Sequence, residues 1–346
     1  MDLLGLSRLF IFITSITFFS SCAKLSYLYE QGVGQAQIIL EARDNEEVLN
    51  DSNIPDDFKK KIRNISEYKK YFYEYWHLPS TDIYDETNIL NRDAVTYLVI
   101  ASKKREIKPL KNCFFIVGCF PYLGFFKLKS AKRHVKELSE KGYDTYLRKV
   151  LAYSTLGNLD DPILSTFFKY SKYDLAETIF HELFHTIFFV KGEVDLNENL
   201  ANYVGKEMLE LYFKDESLKI AKHNTREKKY KALKQEIVTH AKTLKKILES
   251  ENWMKKKNEF LTKTFPASIQ EKCDELELQS CWPLKIEWNN AVFSAFMTYE
   301  KSQNDIEKLA SKFKDLRSFL LFINTKHEEY QKSKNEEISF EEYLFI

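Results

Sequence analysis

The clearest hydrophobic pattern in this chain lies between Asp174 and Val190. Apolar side chains recur there at the spacing of one helix face, namely Leu175, Ile179, Leu183, Phe184, Ile187 and Phe188. The pattern predicts an amphipathic helix that is stopped near Gly192. A second helix is predicted to begin near Asp195 or Asn197, with Asn197 as its N-cap, so the local unit is helix, short turn, helix.

The rest of the chain is also dominated by helical segments. Helices are predicted over 29–43, 56–76 and 127–141, and short apolar runs with β character lie at 97–101, 113–119 and 143–153. A strand end and a turn are expected at 153–162, just before the amphipathic helix. Residues 206–265 contain no Gly or Pro and are densely charged, which predicts long helices or a helical hairpin with a solvated face.

Composition agrees with a mostly helical protein. The chain has 9 Gly and 7 Pro against 27 Phe and 20 Tyr, and its length allows a substantial core. We therefore expect an α+β fold that is predominantly helical, with a small sheet beside the helix of 174–190 and a long helical C-terminal half. Lys and Arg number 52 and Asp and Glu 51, so charge gives no reason to expect a nucleic acid as partner.

The predicted helix of 174–190 carries the pentad His181-Glu182-Leu183-Phe184-His185, which has the form H-E-x-x-H. Residues four apart share one helix face, so both imidazoles can bind one metal ion while Glu182 acts as a general base. A catalytic zinc site needs a third protein ligand, and Glu198 on the second helix can supply it. The alternative is a helix that carries two structural histidines.

Other acidic residues compete with Glu198 for the metal. Glu193 and Asp195 lie in the turn, where a solvated loop position is the simpler interpretation for Glu193. Glu177 lies one turn before His181 and is expected to be exposed, or to hydrogen-bond a ligand histidine.

A three-histidine site of the H-E-x-x-H-x-x-G-x-x-H type is excluded. Phe188 and Lys191 stand where its glycine and third histidine would be.

The N-terminus has the form of a bacterial lipoprotein signal. Residues 1–22 combine a short polar start, an apolar run over 9–19 and small residues before Cys22, although Phe19 makes the cleavage motif a relaxed one. Cys22 would be lipidated and become the mature N-terminus, anchoring the protein in the cell envelope on the periplasmic or surface side. An ordinary cleaved signal with a chance cysteine is the alternative.

The other four cysteines suit an oxidising compartment. The spacing allows two local disulfides, Cys113–Cys119 and Cys273–Cys281, among three possible pairings, and four buried thiols are equally consistent with the sequence. No C-x-x-C motif is present, which argues against a cysteine-based zinc site.

Several motifs together resemble a bacterial family of predicted lipoprotein zinc aminopeptidases, a gluzincin-like group. They are Tyr29-Glu30-Gln31-Gly32-Val33-Gly34-Gln35, Cys113 to Cys119, Tyr122-Leu123-Gly124-Phe125-Phe126, Ala152 to Gly157 with Asp161-Pro162, the pentad, Asn197-Glu198, and Asn289-Asn290-Ala291 with Ser294 and Tyr299. The resemblance implies a zincin-like metallopeptidase with one Zn²⁺ held by His181, His185 and Glu198, and Glu182 as the general base. Leu123 stands where the family usually has arginine, which leaves peptide specificity open.

The expected domain plan follows from these motifs. Residues 1–22 are the signal and 23–346 the metallopeptidase, with 23–205 as its catalytic core and 206–346 as a helical C-terminal part. The partners expected are a peptide substrate and, through the lipid anchor, a membrane. The alternatives are an endopeptidase and an envelope-anchored structural or binding lipoprotein whose metal site is not catalytic.

Some further residues are candidates for supporting roles. Tyr153, Tyr203 or Tyr299 could donate a hydrogen bond to the oxyanion, and Asn202 could orient a ligand histidine. The segment 153–157 is a candidate edge strand for substrate. The histidines of the C-terminal half, His223, His240 and His327, are expected to be exposed.

Overall fold

The computed structural model describes residues 26–114, 118–151, 160–297, 303–333 and 338–346. Its helices are α1 (26–40), α2 (Asn45–Asn50), α3 (Asp56–Trp76), α4 (Leu128–Glu140), α5 (Lys172–Ile187), α6 (Val194–Tyr212), α7 (Ser217–Glu249), α8 (Trp253–Glu259), α9 (Phe265–Glu275), α10 (Asn290–Phe296), α11 (Gln303–Ala310), α12 (Leu316–Ser333) and α13 (Phe340–Leu344). Its strands are β1 (Arg43–Asp44), β2 (Glu86–Asn88), β3 (Thr96–Lys103), β4 (Asn112–Phe114), β5 (Gly118–Phe120), β6 (Leu123–Phe125), β7 (Tyr143–Val150) and β8 (Ile163–Leu164).

The strands form three small sheets. β3 lies between β6 and β7 in an antiparallel sheet, β2 lies between β1 and β8, and β4 pairs with β5 as a hairpin. Along β7, Leu147 and Lys149 pair with β3 residues of the face that packs on α4, so Arg148 points to the opposite face. In the strand order β6-β3-β7, β7 is an outer strand among the described strands.

The helices α5 and α6 lie in the largest core of the molecule. Ser171 caps α5, its side chain accepting a hydrogen bond from the backbone N–H of Asp174. The apolar stripe predicted from the sequence is buried, and Leu175, Ile179 and Leu183 are fully enclosed. α5 packs along α6 on one side and on α3 on the other, so the pentad lies on an element that is held from both sides.

The C-terminal helices α11, α12 and α13 pack into the same core. Ile306, Phe319, Ile323 and Phe340 are buried in one cluster with the side chains of α3, α5 and α6. The division expected after residue 205 also falls inside α6, which runs without a break to Tyr212. Packing therefore joins the C-terminal helices to the helices of the pentad.

A second core lies between α7, α9 and α10 and contains the disulfide Cys273–Cys281. The other disulfide, Cys113–Cys119, joins β4 to β5. Within the described ranges, no helix combines the length and the apolar composition that crossing a membrane requires.

Candidate metal centre

Helix α5 places the pentad at the edge of the core. His185 is 3% exposed, and the Nε2 atoms of His181 and His185 lie 3.2 Å apart. The potential ligand atoms of His181, Glu182 and His185 all lie within 4.8 Å of one another. One helix therefore brings two imidazoles and one carboxylate to a single point.

Helix α6 brings a fourth group to the same point. One carboxylate oxygen of Glu198 lies 3.5 Å from His181 Nε2, and the other lies 3.5 Å from His185 Nε2. Two atoms that are each about 2.05 Å from a tetrahedral ion are about 3.3 Å apart. Each imidazole thus faces a different oxygen of the Glu198 carboxylate, at a separation close to that between two ligands of one tetrahedral ion.

A glycine allows α6 to approach α5 at this point. A Cβ atom on Gly205 would lie 3.0 Å from the carbonyl oxygen of Glu177 and 3.2 Å from the backbone nitrogen of His181. No larger residue fits without moving one helix away from the other. Gly205 thus determines how closely the Glu198 helix packs on the histidine helix.

Asn197 fixes the turn between the two helices. The sequence predicted it as the N-cap of α6, and this is wrong because α6 begins at Val194. Asn197 is buried, accepts a hydrogen bond from the backbone N–H of Val190 at 2.9 Å and donates one to its carbonyl oxygen at 2.8 Å. The neighbour of Glu198 is therefore tied to the chain that leaves α5.

The charges of the centre act on one another. Burial lowers the pKa of His181, but hydrogen bonds and negative charge from Glu198 and Glu182 outweigh burial, so the net shift is upward. Burial, followed by the charge of His181, lowers the pKa of His185 to about 4. For Glu198 burial raises the pKa, but the hydrogen bond from His181 together with the charges of His181 and His185 outweighs burial, and the net shift is downward. A neutral His185 and an ionised Glu198 are the protonation states that metal ligands need.

Some of the neighbouring residues lie elsewhere than the sequence suggested. Asn202 lines the same cavity as His181 and contributes to the rise in the pKa of that imidazole. Glu177 instead contacts His223, whose Nε2 lies 3.0 Å from a Glu177 oxygen. Glu193 accepts a hydrogen bond from the backbone N–H of Phe340 at 2.9 Å, so it is not a solvated loop acid.

The expectation that the C-terminal histidines are exposed is wrong. His223 is 5% exposed, and both His240 and His327 are partly buried against aromatic rings. Helical segments with many charges were interpreted as solvated, but these helices pack on their neighbours and enclose the imidazoles.

A second group of potential ligands consists of Asp174, His223 and Glu227. Arg226 lies among them and binds the carboxylate of Asp174, so a positive charge already occupies this cluster.

The candidate oxyanion donors are not assembled at the centre by the described residues. Tyr203 follows Glu198 by five residues, which is about 140° around a helix, and its ring packs on Phe319 at 5.7 Å between centroids. Tyr153 and Tyr299 lie outside the described residues, as do the signal 1–22, Cys22 and the candidate edge strand 153–157.

A cavity of about 690 Å³ opens beside the pentad. Two tyrosines, Tyr170 and Tyr230, line it, and sequence reasoning did not single out either of them. It is also lined by charged and polar side chains, namely Arg148, Asp174, Glu177, Thr178, His181, Glu182, Asn202, Arg226 and Glu227. One face of α5 supplies five of these lining residues, namely Asp174, Glu177, Thr178, His181 and Glu182. Their helical spacing is the sequence signal that could have predicted this wall of the cavity.

Comparison with known proteins gives one match. The model of a family described as "Putative aminopeptidase" matches residues 26–338, which is most of the chain. No curated protein and no solved structure matches this chain.

Proposed function

Starting from the premise that this chain belongs to the putative aminopeptidase family, we propose that it is a zinc-dependent peptidase of zincin-like fold. The observation that carries the proposal is the convergence of His181, His185 and Glu198. Their donor atoms lie 3.2 to 3.5 Å apart, next to a cavity that can admit substrate.

The donor set suits zinc. Two imidazole nitrogens and a carboxylate are a known ligand set for catalytic zinc, with one position left for water or substrate. Glu182 lies within 4.8 Å of the imidazole nitrogens and is near enough to compete as a ligand, whereas Glu198 has one oxygen at 3.5 Å from each imidazole. We therefore assign Glu198 to the metal and Glu182 to the reaction. When bound, zinc would supply a Lewis acid that makes water more acidic and polarises the carbonyl group.

Glu182 is assigned the movement of the proton. Its carboxylate lines the cavity beside His181, where it can take a proton from the attacking water. The same group can then give that proton to the nitrogen of the departing amine, so Glu182 returns to its ionised state after each turnover. Asn202 lies beside His181 in the cavity wall, and we assign to it the orientation of the His181 ring.

The oxyanion needs a hydrogen-bond donor, and Tyr170 and Tyr230 are candidates because their side chains line the cavity. The outer strand β7 also contributes to this wall through Arg148 and offers a backbone edge on which an extended peptide could pair.

The substitution Glu182→Gln tests whether Glu182 transfers the proton. We expect zinc content to stay at the wild-type value and kcat to fall by at least about 100-fold, because an amide cannot act as a base. The matched control is Glu207→Gln on α6, whose carboxyl pKa is already raised by burial and which faces away from the centre. Full activity of the Glu182 variant with zinc bound would disprove the assignment.

A second assay decides between exopeptidase and endopeptidase. An aminopeptidase should hydrolyse a peptide with a free amino group and leave its acetylated form intact, whereas an endopeptidase should cleave both. If wild-type protein with zinc bound cleaves neither peptide, the site is not catalytic and the chain is better described as a binding or structural protein. For location we retain the proposal of an envelope protein anchored through Cys22.

A further inference from the structure

The two arginines of the cavity differ in their surroundings. Arg226 binds the carboxylate of Asp174 and also lies 3.2 Å from a carboxylate oxygen of Glu227. Arg148 lines the same cavity, yet among the described residues it forms neither a hydrogen bond nor an ion pair. Within the described part of the chain, the cavity therefore contains a guanidinium group whose donors are available to a ligand.

The position of Arg148 on β7 is rigid. Its Cα is paired in register with Leu98 of the central strand β3, so the base of the side chain is held by the sheet. The next residue, Lys149, points to the other face and binds Asp93. Two neighbouring cations of one strand thus have different roles, since one is neutralised within the fold and the other is turned toward the cavity.

The ring of Tyr170 relates Arg148 to the reacting groups. Burial raises the pKa of Tyr170, the charge of Glu182 raises it further, and the charge of Arg148 lowers it. Both charged groups therefore lie near the same hydroxyl, and all three side chains line the cavity. A group bound to Arg148 would lie a short distance along a peptide from the scissile bond, where Glu182 takes the proton of the attacking water.

We infer that Arg148 binds a carboxylate of the peptide substrate, either an acidic side chain or the free C-terminus of a short peptide. The planar guanidinium group matches a carboxylate with two parallel hydrogen bonds, and an ammonium group would be repelled from this position. The inference rests on the proposed peptidase function and gives it a substrate class, peptides that carry a negative charge near the scissile bond.

The experiment compares matched substrates on zinc-loaded protein. One pair is trialanine and trialanine amide, and the other is two amidated pentapeptides that carry glutamate or glutamine at the central position. For the wild type we expect kcat/KM to be higher for the acid of at least one pair. In Arg148→Gln we expect a loss of about 10- to 100-fold on that acid, with the acid-to-amide ratio falling to about 1.

Lys149→Gln is the matched control, because it removes the same charge from the same strand on the face away from the cavity. This variant should keep the wild-type ratio of kcat/KM between the peptide acid and its amide. Calorimetric binding of each peptide to the Glu182→Gln protein provides a readout that does not depend on turnover. An advantage confined to trialanine would identify the C-terminus as the ligand, and one confined to the glutamate peptide would identify a side chain.

Equal binding and equal kcat/KM of acids and amides in the wild type, or an unchanged ratio in Arg148→Gln, would overturn the inference. Neither result affects the proposed function, which fails if zinc-loaded wild type cleaves no peptide. In that case binding of the same peptides to Glu182→Gln with and without Arg148→Gln still decides whether Arg148 holds a carboxylate.

Discussion

At the scale of single residues, the proposed chemistry depends on side chains that share one face of α5. The pentad could be assigned from the sequence because a spacing of four residues fixes the relative directions of His181 and His185. The pairing of Glu177 with His223 could not, because it joins residues 46 apart in sequence across two helices. Local spacing predicts neighbours along one helix, but contacts between distant elements depend on the fold.

The His223–Glu177 pair predicts a pH dependence of stability. The hydrogen bond to Glu177 raises the pKa of His223 above its ordinary 6.5, so the folded state binds more protons than the unfolded state just above that pH. The stabilisation is complete below about pH 6.5 and is lost as the pH rises through the folded-state pKa. The melting temperature of zinc-loaded protein should therefore fall as the pH rises above about 6.5.

His223→Gln should remove most of this fall in melting temperature with rising pH. His240→Gln is the control, because burial lowers the pKa of His240 and its titration affects stability below about pH 6.5 instead. An identical pH profile for wild type and His223→Gln would show that the pair contributes nothing to the profile.

At the scale of elements, the sequence predicted most helices well. The predicted helix 56–76 coincides with α3, and Lys127–Lys141 differs from α4 by one residue at each end. Of the two predicted starts of α6, Asp195 lies one residue from the observed start at Val194, and Asn197 is too late because its amide is buried and binds the turn instead of capping the helix. Capping preferences describe exposed helix ends and cannot distinguish them from a buried asparagine that serves a loop.

The close approach of α5 and α6 predicts an effect of Gly205→Ala. The added methyl group would press on the backbone of Glu177 and His181, at a cost of about 1–3 kcal/mol that exceeds the gain of about 1 kcal/mol in helix propensity. Because the strain displaces the Glu198 helix, zinc affinity should fall by about 10-fold or more. Zinc titration together with thermal unfolding measures both effects.

Gly32→Ala is the matched control, a helical glycine whose added Cβ would meet no atom within 4 Å. It should stabilise the protein by up to about 1 kcal/mol and leave zinc affinity unchanged. Wild-type zinc affinity in Gly205→Ala would mean that the spacing of the two helices does not govern the centre.

At the scale of the whole molecule, the helices that carry the pentad and Glu198 share one hydrophobic core with the C-terminal helices. Phe319 of α12 is 2% exposed and packs on Tyr203 of the Glu198 helix. The sequence separated a catalytic core from a helical remainder because the charged stretch after residue 205 lacks Gly and Pro. Hydrophobic residues that return to the core 100 residues or more after α6 are not detectable from local pattern.

Shared packing predicts that damage to α12 reaches the metal centre. Phe319→Ala should cost about 3–5 kcal/mol and lower the temperature at which bound zinc is released. Leu321→Ala on the same helix, 69% exposed, should change stability by no more than about 0.5 kcal/mol. Release of zinc at the wild-type temperature in Phe319→Ala would indicate that the C-terminal helices unfold independently of the centre.

Anomalous diffraction at the zinc absorption edge, from crystals grown with zinc, tests the central claim most directly. The proposed zinc site predicts one anomalous peak per chain, about 2.0–2.2 Å from Nε2 of His181, Nε2 of His185 and a carboxylate oxygen of Glu198. Glu182 should lie near the peak without binding the ion. A peak elsewhere, or one at the histidines that Glu198 does not contact, would contradict it.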